Sequence, residues 1–117
     1  MDETVSLHKD LAESGRWFDL PFEVQMAHIG SEVFRAGKWK TKGKADRAQN
    51  AADRTLELMD FTVAGMIENH KNPRELLRMR ELICDYFYGS NEYDSTPESL
   101  NRYFDPFAIK ASRLHNQ

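Results

Sequence analysis

Apolar positions recur along this chain at three-and-four spacing, in four separate stretches. Phe22, Met26, Ile29, Val33 and Ala36 form the first stripe, with Asp19 as a helix cap, Pro21 in the opening turn and Gly43 as the stop. A second helix begins near Lys44 and carries Ala45, Ala48, Ala52, Leu56, Met59, Val63 and Met66 before fading around Asn69. Asn72-Pro73-Arg74-Glu75 opens the third, as an Asn cap, Pro at the first helical position and a Glu able to reach back; Gly89 closes it. Ser95-Thr96-Pro97-Glu98 repeats the capping pattern ahead of Leu100, Phe104, Phe107, Ala111 and Leu114. Pro106 falls inside this last stripe and predicts a kink or a restart there, with Asp105 as the new cap. A short further helix is expected over residues 4–14, and no strand-like alternation of useful length occurs.

Short connections between long amphipathic helices make antiparallel neighbours. The expected fold is all-α: an up-and-down four-helix bundle with a short N-terminal helical segment and a proline-kinked last helix. One domain spans residues 1–117, with 1–16 as a loosely attached segment.

Two features do not fit a plain bundle. Arg80 falls on the broad apolar face that Leu76, Leu77, Ile83, Cys84, Phe87 and Tyr88 would share. Residues equally far from a shared turn sit at one height, which places Gln25 or His28, Asp60, Arg80 and Asp105 in one layer. Burial would force the guanidinium to pair with Asp60, Asp105 or Glu32. Such a layer is either a structural ion pair that sets helix register or, with His28 and Glu32, a small polar pocket for an anionic ligand.

The second feature is surplus apolar surface. The first helix carries Val24, Ala27 and Phe34 opposite its main stripe, and the second carries Ala51, Leu58, Phe61 and Gly65. The N-terminal segment, through Val5, Leu7, Leu11 and Trp17, can cover one stripe; a second subunit can cover the other. Gly30 and Gly37, seven apart, would let a partner approach closely. The expectation is a homodimer, with Val24, Phe34, Trp39, Leu58, Phe61, Tyr88 and Tyr93 as candidate interface residues.

Composition narrows the rest. At 40% hydrophobic and 30% charged residues the chain reads as globular and soluble, with no membrane span. Its N-terminus lacks the basic-then-apolar order of a signal peptide, and the single Cys84 fits a reducing interior; the expected location is the cytoplasm. Net charge of −3 argues against wholesale nucleic-acid binding. The charge is segregated, however. Residues 35–47 hold Arg35, Lys38, Lys40, Lys42, Lys44 and Arg47 against Asp46, while 85–98 hold Asp85, Glu92, Asp94 and Glu98 with no base. In an up-and-down order these segments share one end of the bundle, in the same subunit or a neighbouring one, together with Trp39, Tyr86, Tyr88 and Tyr93.

No Gly-rich phosphate loop, Gly-x-Ser-x-Gly or Cys-x-x-Cys is present, and none of the four histidines has a glutamate three residues before it. The arginine–histidine signature of bundle ribonucleases is missing as well. No metal and no cofactor is expected, and Cys84 reads as a small hydrophobe.

The strings HIGSEVFRAGKWK (28–40), ELICDYFYGSNEYDS (81–95) and SLNRYFDPFAIKASR (99–113) resemble a family of small all-helical proteins of bacteria and archaea. The resemblance covers most of the chain from about Trp17 onward and implies a helical fold; it carries no activity, ligand or site residue. Three functions are expected in order: a non-catalytic interaction or oligomerisation module, a small-ligand binder or enzyme built on the Arg80 layer, and a weak RNA- or DNA-binding accessory protein using residues 35–47.

Overall fold

The computed structural model describes residues 15–115, the side chain of His115 excepted; the helix expected over 4–14 lies outside them. Within this span the chain folds as α1 (Arg16–Asp19), α2 (Phe22–Thr41), α3 (Ala45–Glu68), α4 (Arg74–Tyr88) and α5 (Pro97–His115), with no strand among the described residues. Four long helices in up-and-down order form the bundle, and α1 is a single turn laid against α3. The most extensive packing is of α2 against α3 and α5, followed by that of α4 against α3. The second helix therefore lies at the middle of the assembly and the fourth at its edge.

The helix ends follow their local chemistry, twice with a shift. Asp19 is not the cap of α2: it ends α1, and the carbonyl of Pro21 accepts the N–H groups of Val24 and Gln25 instead. Proline fixes its own φ and ends the extended link, so the helix starts one residue beyond it. At the other end Gly43, at φ 75°, lets Lys44 N–H reach back to Trp39 O. Asn72 caps α4 by accepting from Arg74 N–H at 3.0 Å. The cap of α5 is Thr96 rather than Ser95: Thr96 Oγ1 accepts from Ser99 N–H and Ser99 Oγ accepts from Thr96 N–H, at 3.0 and 2.9 Å. Helix α5 then runs through Pro106 without a restart, so Asp105 is an exposed position within the helix and caps nothing. The missing N–H of Pro106 deprives only the carbonyl of Arg102, on a turn where Arg102, Asp105 and Pro106 are all exposed.

The core gathers Trp17, Met26, Ile29, Val33, Leu58, Met59, Leu76, Met79, Ile83, Tyr86, Leu100 and Phe104. Near the α2–α3 turn it thins to Ala36, Ala51 and Ala52, roofed by Phe87, where small side chains let the two helices close up. Trp17 donates from Nε1 to Thr62 Oγ1 at 3.1 Å, and Phe18 stands edge-on to Phe61. A Cβ on Gly65 would meet the Phe18 ring at 3.3 Å. This turn of chain covers the second stripe of α3: Leu58 is fully in the core and Phe61 is half-buried beneath Phe18, so Leu58 is excluded as an interface residue. Gln25 locks the joint, donating to the carbonyls of Trp17 and Leu20 at 2.8 and 3.3 Å.

The buried face of α4 is Leu76, Met79, Ile83 and Tyr86, with Leu77 and Tyr88 exposed. The face inferred from periodicity was centred too far toward Cys84. Arg80 borders the true stripe on the α3 side.

Candidate functional site

Arg80 does meet Asp60. Its Nε lies 2.8 Å from Asp60 Oδ1 and its second terminal nitrogen 3.3 Å from Oδ2, a two-pronged contact that pushes the arginine pKa up, against the lowering effect of burial. The other guanidinium nitrogen donates to Cys84 Sγ at 3.7 Å. The pair is on the surface, with side-chain exposures of 34% and 59%. Asp105, His28 and Glu32 are elsewhere, so the layer expected around Arg80 does not assemble.

Glu32 belongs to a different pair. Arg54 Nε stands 3.3 Å from Glu32 Oε2, with only 9% and 11% of the two side chains exposed, and Arg35 reaches Glu32 Oε1 from outside at 3.2 Å. The buried ion pair thus joins α2 to α3. Arg54 was not singled out from the sequence, although it stands between Ala51 and Leu58 on a buried stripe. His28 is exposed and inclined to the Trp17 ring at 6.0 Å.

Asp105 lies with Phe34 and Trp39. Small residues on α2 prepare the place: an added Cβ on Gly30 would stand 2.6 Å from Phe104 Cβ, and one on Gly37 would stand 3.5 Å from Pro97 Cβ. Both glycines are therefore used within the chain, to seat α5 on α2, and not to admit a partner. Beside this seam runs an open groove of about 540 Å³. Ala27, Gly30, Phe104 and Ala108 are apolar along it, Phe34 and Trp39 rise from α2, and Arg35, Lys38 and Lys42 line it against one acid, Asp105.

The cations are arranged on the aromatics. Lys38 Nζ lies 6.0 Å from the Phe34 ring centre, and Lys42 Nζ and Arg47 Cζ lie 5.6 and 4.8 Å from that of Trp39. Each such contact contributes about 0.5–1 kcal/mol at an exposed site. Phe34 remains 56% exposed. Among the described residues Lys38, Lys42 and Arg47 form no ion pair with a carboxylate.

The basic and acidic segments do share an end. Lys40 crosses to α4, donating to the carbonyl of Tyr86 and standing 4.0 Å over its ring. Burial, and then the charge of Glu98, push the Tyr86 pKa up. Among the described residues no ion pair joins the basic stretch 35–47 to the acidic stretch 85–98. Tyr88 donates to Asp53 across the α3–α4 seam, and Tyr93 projects from the loop with 62% of its surface exposed. Val24 is half-buried near Ala111 and Leu114.

Two negative observations complete the site. No three His, Cys, Asp or Glu side chains come together as a metal would require among the described residues, and no helix there is long and apolar enough to cross a membrane. No family model, curated protein or solved structure matches the chain. Function has to come from the groove's own geometry.

Proposed function

We propose that the protein is a non-catalytic, cytoplasmic interaction module whose working surface is the groove between α2 and α5, and that it receives a short acidic protein segment with an aromatic or apolar anchor. The observation that carries this is the groove itself: an apolar floor, two raised aromatics, and three cations lining it against a single acid. An apolar anchor gains about 25 cal/mol for each Å² removed from water. Flanking carboxylates set its register and speed its arrival. Partners docking in grooves between helices recur in protein recognition.

A homodimer is part of the same proposal. The candidate interface keeps Val24, Phe34, Trp39, Tyr88 and Tyr93, and loses Leu58 to the core and Phe61 largely to Phe18. The Arg80–Asp60 pair supports a ligand site poorly, because neither residue lines this groove or the cleft at the α2 N-terminus. A nucleic acid is disfavoured: a strand running past Trp39 would meet the acids of residues 85–98 at the same end.

The reading is tested by titrating isotope-labelled protein with a synthetic Glu- and Asp-rich peptide holding one central tryptophan. Amide shifts confined to the groove-lining stretches of α2 and α5 are expected. Shifts scattered over the surface, or a thymidine oligonucleotide that binds in place of the peptide, would sink it.

A further inference from the structure

Resting on that reading of the groove, we propose its occupant: the loop 89–96 of a second copy of this chain, with Tyr93 as the anchor. Each subunit gives its loop and receives its partner's, so the contact is two-fold and closes at two copies.

Pre-organisation is the first argument. The Asp85 carboxylate accepts the N–H groups of Glu92 and Tyr93 at 2.8 and 3.0 Å, one on each oxygen. The Asn91 side chain brackets Ser95, accepting its N–H at 2.8 Å and donating to its carbonyl at 3.0 Å. Asn91 and Asp94 both stand in the left-handed region, at φ 57° and 54°, a conformation these two residue types tolerate better than most. So many bonds spent on eight residues fix a loop whose one aromatic, Tyr93, stands exposed. An anchor held ready in this way loses little entropy on docking.

Charge is the second. Glu92 and Asp94 flank Tyr93, and their carboxylates make no ion pair with any cation among the described residues. Lys38, Lys42 and Arg47 surround Phe34 and Trp39 in the same condition. Each patch is the complement of the other, and among the described residues no ion pair joins them within one chain. Both lie at the end of the bundle that Lys40 ties together, which suits an exchange about one axis. In the docked state Tyr93 lies on the apolar floor beside Phe34 and Trp39, with Glu92 and Asp94 against the flanking cations.

The test is sedimentation velocity on the whole chain, with helical content checked for each variant. The wild-type protein is expected to be a dimer that weakens as salt is raised. Tyr93→Ser should weaken it about tenfold or more, as for a hot-spot aromatic. E92K/D94K and K38E/K42E should each be monomeric, and an equimolar mixture of the two should dimerise, because every loop then meets a groove of opposite charge. A monomeric wild type, a dimer indifferent to both reversals, or a mixture that stays monomeric overturns the proposal. Peptide binding to E92K/D94K, whose groove is intact, separates the outcomes. If the peptide binds while the exchange fails, the groove reading stands and only the second copy is wrong; if neither occurs, both fall.

Discussion

The Glu32–Arg54 and Asp60–Arg80 ion pairs each join α3 to a neighbouring helix, and the chain positions them by the same rule. Glu32 and Arg54 stand equally far on either side of Gly43, and Asp60 and Arg80 equally far on either side of His70. Each pair closes across an antiparallel helix hairpin at matching height. Their surroundings are opposite: about a tenth of each side chain is exposed in the first, against a third to more than half in the second. The difference comes from which seam each pair spans. The α2–α3 seam lies in the middle of the bundle because α2 also packs on α5, whereas the α3–α4 seam opens onto solvent. Position along a hairpin chooses the partner. Position of the hairpin within the bundle decides what the pairing is worth.

That contrast can be broken most sharply at Arg54. Arg54→Ala leaves Glu32 buried with only the peripheral Arg35, and should cost about 3–5 kcal/mol in urea unfolding. The double change Glu32→Met with Arg54→Leu should recover most of that loss, since an apolar pair of similar volume needs no desolvated charge. Arg80→Met should cost less than about 1 kcal/mol, and raised salt should erase the difference from wild type while leaving the Arg54 effect largely in place. Equal losses from Arg54→Ala and Arg80→Met would refute the contrast outright.

The smallest effect concerns protons. Burial, and then hydrogen bonding to Asp53, push the Tyr88 pKa well above the ordinary 10.0; burial and Glu75 do the same for Tyr103. Above about pH 10 the unfolded chain loses these protons while the folded chain keeps them, so stability falls as pH rises through that range. Tyr88→Phe should flatten part of the slope in alkaline unfolding curves. A slope unchanged in that variant would mean that Tyr88 adds nothing to the solvent-facing seam.

The helices were legible because their ends are written in local chemistry: Asn72-Pro73 starts α4 and Gly89 ends it, and Gly43 follows the end of α2. The Arg80–Asp60 pair was legible too, since counting from a turn needs only antiparallel neighbours. Its exposure was not. A wheel at ideal spacing cannot locate the edge of the buried face to better than a residue, and a long side chain at that edge bends its head out to water. Arg54 was hidden for the converse reason: it shares a buried stripe with Ala51 and Leu58, and a charged residue type gives no sign of burial until its partner Glu32 is placed. The two shifted caps, Pro21 and Thr96, lie two residues and one residue beyond the expected Asp19 and Ser95, within the ordinary uncertainty of a helix boundary read from sequence. The groove was half visible, as basic and aromatic residues of 35–47, but its α5 wall of Asn101, Phe104, Asp105 and Ala108 depends on how two distant helices are spaced.

That spacing has a gauge. At Gly30 the backbone of α2 meets Phe104 with no room for a methyl group, and the same glycine forms part of the groove's lining. The two helices rest on each other there as on a fulcrum. A side chain at position 30 would act as a wedge, levering Asp105 and Ala108 away from Phe34 and widening the mouth of the groove. The calibre of the binding surface is therefore set by an absent atom, and any substitution that retunes what the groove accepts at that point must also loosen the closest joint between α2 and α5.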